Sequence, residues 1–175
     1  MAGSVRVVRS DRRVSARRLD RIAHRLLRAS TLCAIATVSP TGRPHVNTAY
    51  FSSSDALEIV WLSAPDSAHS RNVRANASAA IAVYDSTQTW GGADRGIQLF
   101  GRARELRGRA ATDAGRRYGR RFGAMEDTLR TFRVYRFRPS RVKLFHEREL
   151  GGGTFVTARV LRDGGLEWLR TERYR

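Results

Sequence analysis

Hydrophobic and polar positions follow two different periods along this chain, and the change of period predicts its elements. After Ser15, a residue type that caps helices well, apolar side chains recur with the spacing of an amphipathic helix. These side chains are Leu19, Ile22, Ala23, Leu26 and Leu27. From Thr31 onward the pattern changes to short strands separated by turns. The sequence therefore predicts one helix followed by a β-meander.

Five strand-like stretches follow in order. They are TLCAIATV (31–38), PHVNTAYF (44–51), LEIVWLS (57–63), AAIAVYD (79–85) and RGIQLFGRAREL (95–106), the last with a bulge predicted at Gly101. Helices are predicted over 67–75 and 110–122, the first capped by Asp66 or Ser67 and ended by Asn76. Alternation typical of strands resumes in TFRVYRF (131–137) and RVKLFH (141–146).

The remaining segments define the predicted domain organisation. Residues 1–14 lack periodicity and are expected to form a loose basic arm, and residues 15–175 to form one domain. Glycines 151–153 read as a hinge, and a C-terminal hairpin is predicted over 154–170. Many closely spaced strands with two or three short helices favour a mainly β fold, a closed antiparallel barrel filled by its own side chains.

The formal net charge of +17 makes nucleic acid and other anions partners to consider. In RRYGRRF (116–122) and FRVYRFRPSR (132–141), arginines alternate with aromatic residues as in stacking platforms. Tyr118 and Phe122 nevertheless fit the core face of a helix, and Phe137 fits a barrel strand. Nucleic-acid binding is therefore the third of three functional hypotheses.

The sequence features of several other classes of protein are absent from this chain. Every apolar run, such as residues 32–36, is far short of the roughly 20 residues that cross a bilayer, and no export signal is recognisable, so a cytoplasmic protein is expected. The four histidines lack zinc-binding spacing, so no metal site is predicted. No P-loop, Gly-x-Gly-x-x-Gly or Gly-x-Ser-x-Gly sequence is present. The single cysteine, Cys33, is expected to be a buried, inert thiol.

Polar residues around the first three strands and the helix after them remain as candidate chemistry. They are Asn47, Thr48, Ser63, Ser67, His69, Arg71 and Asn72. Ser67 and His69 lie at the predicted start of a helix, where free backbone N–H groups and the helix dipole favour an anion such as a phosphate. Simple capping by solvated polar residues explains the same pattern equally well.

Four stretches resemble, in sequence and order, the pyridoxamine-phosphate-oxidase-like split β-barrel family. They are CAIATVSPTGRPHVNTAYF, LEIVWLSAPDSAHSRNV, ASAAIAVYD and GIQLFGRAREL. The resemblance covers roughly residues 17–147. It implies a split β-barrel and a homodimer with two FMN or deazaflavin sites at the subunit interface, the polar strand lining the isoalloxazine ring.

The resemblance also assigns residues by position. Asn47, Thr48 and Ala49 would lie along the ring beside Leu62 and Ser63, with Ser67, Ala68 and His69 in the phosphate-binding turn, followed by Arg71 and Asn72. Gly96 and Gln98 would contact the polar edge of the ring, and Phe145 would stand where a tryptophan of the family approaches the flavin from the second subunit. No catalytic side chain is assigned.

The chain departs from the family at two places. Ala68 and His69 replace a basic Arg-Lys pair, which should weaken phosphate binding, although Arg71 or a protonated His69 could compensate. The region ERELGGGTF lacks the Arg-x-His element of pyridoxamine phosphate oxidases, which argues against vitamin B6 oxidation. The leading hypothesis is an FMN- or deazaflavin-dependent oxidoreductase acting on a small molecule by hydride transfer. The alternative is a flavin- or heme-binding protein without turnover.

Overall fold

The fold was analysed in a computed structural model that describes residues 5–123, 128 and 131–174. The described strands are β1 (Val7–Ser10), β2 (Leu32–Val38), β3 (Pro44–Tyr50), β4 (Ser52–Ser53), β5 (Ile59–Ser63), β6 (Ser78–Tyr84), β7 (Arg95–Glu105), β8 (Arg133–His146), β9 (Thr154–Val160) and β10 (Leu166–Tyr174). The described helices are α1 (Ala16–Ala29), α2 (Ala68–Ala75), α3 (Gly108–Phe122) and α4 (Glu147–Leu150).

The ten described strands form one antiparallel sheet that curls into a split barrel, so the predicted fold class is confirmed. The strand order is β1-β10-β9-β8-β7-β6-β2-β3, and β5 pairs with β4 and β8. The first half of β8 pairs with β5 and its second half with β9. Because one long strand joins two neighbours that do not pair with each other, the barrel wall divides at β8.

The barrel interior is filled by apolar side chains from most of the strands and from α1. Five apolar residues of α1, the five that the helical spacing selected, are buried against this core. The Trp61 and Tyr135 rings stack inside it with centroids 5.5 Å apart. Cys33 is also buried, and burial raises the pKa of its thiol to about 12. A second, smaller core lies between α3 and the outer surface of β5 and β8.

The structure differs from the sequence-based expectation in two segments. Val7–Ser10, within the arm expected to be loose, form β1, which pairs with β10; residues 1–4 lie outside the described residues. The stretches at 131–137 and 141–146 belong to one continuous strand, β8, rather than two. Pro139 does not interrupt β8 because it lies opposite the predicted bulge at Gly101, where the register with β7 shifts.

The glycine-rich segment and the C-terminus follow an ordered path. Glycines 151–153 come directly after α4, and the Glu147 carboxylate accepts a hydrogen bond from Gly153 N at 3.0 Å. The segment is therefore a hydrogen-bonded turn in this structure. The C-terminal hairpin of β9 and β10 turns at residues 161–165 and extends to Tyr174, beyond the predicted end at 170.

No helix among the described residues is both long enough and apolar enough to cross a membrane.

Candidate functional site

Two polar side chains of β3, His45 and Asn47, face the region between β3, β5 and α2, which we call the cleft. β3 is the last strand in the order, and its other side faces β5 and α2. Its residues alternate between exposed and partly buried, so that His45, Asn47 and Ala49 share the inner face while Val46 and Thr48 point outward. The polar residues of this strand therefore lie where the barrel wall ends and a ligand could approach.

A cluster of hydroxyl groups and one imidazole faces this cleft from β5 and the start of α2. Ser67 is the N-cap of α2, and its Oγ accepts a hydrogen bond from Ser70 N at 3.3 Å. The Ser63 Oγ lies 3.0 Å from Ser67 Oγ and 2.6 Å from His69 Nε2. These groups can rotate to donate to an anion at the helix start, where the backbone N–H groups and the helix dipole also point.

His69 is paired with a second histidine that the predicted site did not include. The rings of His45 and His69 stack with centroids 6.4 Å apart and an interplanar angle of 10°. Burial, and next the nearby His45, lower the pKa of His69 from its usual value of 6.5. His69 is therefore neutral at neutral pH. His45 could have been found from the sequence, because it lies two residues before Asn47 and so shares its face of β3.

Asn47 contributes a buried acceptor without a partner among the described residues. Its amide nitrogen donates to Thr48 O at 3.3 Å, whereas its Oδ1 is buried and makes no hydrogen bond there. Burying such an oxygen unpaired costs free energy on the order of 1–3 kcal/mol. A ligand with an N–H group at the edge of β3 would satisfy it.

Three other residues of the predicted site have side chains that make their contacts outside the cleft. Asn72 is buried and donates to Thr37 Oγ1 at 3.1 Å, which ties α2 to β2. Leu62 points to the opposite face of β5 from Ser63 and packs into the small core under α3. Arg71 is exposed on α2, and its guanidinium donates to the carbonyl of Asp66, just before the helix.

The remaining predicted residues form a separate group on the outer face of the sheet. Gly96 lies directly opposite Phe145, and a Cβ at Gly96 would come within 2.4 Å of the Phe145 ring. Thr48 and Gln98 share one lateral row, with Ala34 and Ala82 between them. Three strand spacings separate Thr48 from Gln98, roughly 14 Å. Within one chain, the two parts of the predicted site therefore do not meet.

The lowered pKa of His69 predicts a loss of stability in mild acid. The unfolded chain binds a proton to this imidazole near pH 6.5, whereas the folded chain resists it until the pH is lower. The free energy of unfolding should therefore fall as the pH drops below about 6.5. We expect His69→Gln to reduce this fall, as measured by the melting temperature between pH 7.5 and pH 5. An unchanged acid dependence in the variant would contradict the assignment; His146, whose pKa burial also lowers, should supply the remainder.

Comparison with known proteins agrees with this architecture. The family model described as pyridoxamine 5'-phosphate oxidase matches residues 19–146. Comparison of the sequence with curated proteins finds no match.

Among solved structures, HutZ, a heme storage protein from Vibrio cholerae, is similar with a TM-score of 0.59 and 21% identity, over 66% of this chain and 86% of that one. A heme-binding protein from Mycobacterium smegmatis has a TM-score of 0.66 and 22% identity, over 84% of this chain and 59% of that one. A putative pyridoxamine 5'-phosphate oxidase from Listeria innocua has a TM-score of 0.59 and 15% identity, over 72% of this chain and 97% of that one. Identities this low establish the fold alone, but the family model covers most of the chain. The chain therefore belongs to the pyridoxamine 5'-phosphate oxidase-like split-barrel family.

Proposed function

We propose that this protein is an oxidoreductase that binds FMN, or a deazaflavin, and transfers hydride to or from a small molecule. The observation that carries the proposal is the unpartnered Asn47 Oδ1, which lies on the same cleft as the cluster of Ser63, Ser67 and His69. A flavin offers a ring N–H group for the first and a phosphate for the second. The family's typical use of flavin supports the same assignment.

In this proposal the chain positions the cofactor and the cofactor supplies the hydride chemistry. The backbone of β3 would hold the ring, and Asn47 would fix its orientation by accepting a hydrogen bond. Ser67 and the first N–H groups of α2 hold the phosphate. No side chain is required to transfer a proton.

The phosphate end of the proposed site is weakly charged. Ala68 and the neutral His69 occupy the positions of a basic pair, and neutral donors bind phosphate less strongly than ionised ones. Arg71 is the nearest candidate to compensate, because its guanidinium already reaches back to the Asp66 carbonyl before the helix. We therefore expect weaker binding of the cofactor than a site with two cations would give.

The proposed active form is a homodimer that joins the two parts of the site. The outer face of β2, β3 and β6 carries small alanines flanked by large exposed apolar side chains. They include Val46 (63% exposed), Tyr50 (57%), Tyr84 (54%) and Leu32 (47%). An exposed apolar sheet face of this kind favours association. A partner packed on it would bring its own Gly96, Gln98 and Phe145 near the ring held at β3.

Disruption of this face tests the dimer. Ala82→Glu places a carboxylate in the middle of the face, where a partner would bury it unpaired. We expect the variant to be monomeric and the native protein dimeric in light scattering after size-exclusion chromatography. Ser86→Glu, in an exposed turn, is the control for the added charge. A dimeric Ala82→Glu variant would contradict this interface.

The first test of the function is the visible spectrum of the purified protein, with mass spectrometry of the molecule that heat denaturation releases. Flavin or deazaflavin absorbance, bleached by a reduced nicotinamide and restored by an acceptor, would support the oxidoreductase. A bound flavin that accepts no hydride would support a carrier or sensor. A protein that stays colourless after incubation with FMN or a deazaflavin would contradict the proposal.

Heme binding is a second candidate, and the pair of histidines favours it. The imidazole rings of His45 and His69 stack beside each other between β3 and α2, and imidazole is a common iron ligand. Two proteins of similar fold bind or store heme according to their descriptions. A Soret band upon titration with hemin, lost in His45→Ala or His69→Ala, would favour this candidate over the flavin.

A further inference from the structure

The sequence motifs in which arginines alternate with aromatic residues produce a different surface from a stacking platform. Tyr135 and Phe137 point into the barrel and are fully buried, and Tyr118 packs in the core under α3. The alternation of β8 then places Arg136 and Arg138 together on the outer face. Tyr118, Tyr135 and Phe137 are therefore withdrawn from the surface while the arginines between them are presented on it.

Four arginines meet on adjacent strands beside the bulge at Gly101. Arg102 lies directly opposite Arg138, and Arg104 directly opposite Arg136. All four line one recess of about 470 Å³, which also includes Ser140. We refer to Arg102, Arg104, Arg136 and Arg138 as the arginine ladder. Like charges directly opposite each other destabilise a sheet, so two such pairs in succession work against the fold.

One carboxylate partly neutralises the ladder from its edge. Arg138 Nε donates to Glu58 Oε1 at 2.6 Å, and Arg136 Nη1 lies 3.7 Å from the same oxygen. Arg102 and Arg104 form no ion pair with any residue that the structure describes. Within the part of the chain that the structure describes, four guanidinium groups thus share one carboxylate, which leaves the recess positively charged.

Arg136, one of the residues that line this recess, carries unsatisfied donors. Its side chain is only 11% exposed, and its Nε and Nη2 atoms are buried with no hydrogen-bond partner among residues 5–123, 128 and 131–174. Burial lowers the pKa of this guanidinium; Glu58 opposes the shift and the surrounding arginines add to it. A buried cation with unsatisfied donors is costly, and an anion in the recess would reduce the cost.

We propose that the recess of the arginine ladder binds a compact, multiply charged phosphate anion, with pyrophosphate as its simplest representative. Planar guanidinium groups bind phosphate oxygens in pairs, which suits two opposed arginine pairs. A small anion fits better than a nucleic-acid strand because Tyr135 and Phe137, which alternate with Arg136 and Arg138 along β8, are buried and offer no surface for base stacking. This site lies on β7 and β8, apart from the cleft between β3 and α2, and is independent of the flavin proposal.

Thermal unfolding of the full chain in low-salt, phosphate-free buffer tests the proposal, with pyrophosphate as the probe. At about 100 times its Kd, pyrophosphate should raise the melting temperature of the native protein by about 5–10 °C. Arg104→Gln should abolish this rise. The same variant without ligand should melt about 1–3 °C higher than the native protein, because one repulsive pair is gone. A purely structural role for Arg104 would not produce these opposite effects.

Two controls make the outcome decisive. Arg173→Gln removes an exposed arginine of β10 and should keep the full response to pyrophosphate, as should Ser67→Glu in the other cleft. No response in the native protein, a full response in Arg104→Gln, or an equal loss in Arg173→Gln would overturn the proposal. Binding of a single-stranded oligonucleotide that depends on Arg104, without any response to pyrophosphate, would overturn it in favour of a nucleic-acid backbone.

Discussion

Gly101→Ala is expected to destabilise the protein by about 3 kcal/mol, among the largest effects of any single methyl group in this fold. A Cβ at this position would lie 2.0 Å from the carbonyl oxygen of Arg138 and 2.8 Å from the Cα of Pro139. Both atoms belong to the backbone of β8, which cannot move aside as a flexible side chain would. The bulge brings the two strands this close, so the sheet must shift or the bulge must be lost.

Thermal or urea unfolding measures this effect. A loss of about 3 kcal/mol corresponds to a melting temperature lower by roughly 6–12 °C for a chain of this size. Gly119→Ala is the matched control, because nothing lies within 4 Å of a Cβ there and the residue is inside α3. The control should be neutral or gain up to about 1 kcal/mol from helix propensity. Equal stability of the two variants would show that the close approach at Gly101 is absent in solution.

The sequence predicted the elements whose signals are local. The five-residue stripe of α1, the cap of α2 at Ser67, its end at Asn76 and the bulge at Gly101 all depend on neighbouring residues, and each is present in the structure. The pairing of β1 with β10 joins residues that are more than 160 positions apart. The local pattern of a short basic segment does not indicate a pairing partner so far along the chain. The sequence therefore did not predict β1.

The continuity of β8 was missed for a related reason. Pro139 cannot donate a hydrogen bond to a neighbouring strand, and in sequence it reads as a break between two strands. In the structure Pro139 lies opposite Gly101, where the hydrogen-bonding register between β7 and β8 is already shifted. Whether Pro139 interrupts its strand therefore depends on Gly101, a residue of another strand.

The candidate site was predictable to the extent that side-chain direction follows from alternation. The group formed by Ser63, Ser67 and His69 comes together as a turn between a strand and a helix. Alternation shows which residues of a strand share a face, but it does not show which of the two faces meets the ligand. Leu62 was therefore included in the predicted site, although its side chain packs under α3. Asn72 likewise faces β2 because the helix presents one side to the sheet.

Ser67→Glu is expected to weaken FMN binding by roughly 30- to 150-fold, the largest functional effect that we predict. The carboxylate would stand at the N-terminus of α2, where the phosphate of the cofactor is proposed to bind. Two negative groups about 4 Å apart repel by about 4 kcal/mol at the effective dielectric constant of a protein surface. We therefore expect the binding free energy of FMN to weaken by about 2–3 kcal/mol. Equilibrium titration followed by flavin fluorescence measures the change.

Two further substitutions separate charge from capping. Ser67→Asn retains a side chain that caps a helix but adds no charge, so it should keep most of the affinity and stability. His69→Lys places a cation beside Ser63 and should strengthen FMN binding by about tenfold, because hydrogen bonds to phosphate are stronger from ionised donors. Unchanged affinity in folded Ser67→Glu and in His69→Lys would place the phosphate elsewhere. Opposite changes in these two variants would instead support a cofactor that is held at the start of α2 by few charges, with its affinity limited by the residues at positions 68 and 69.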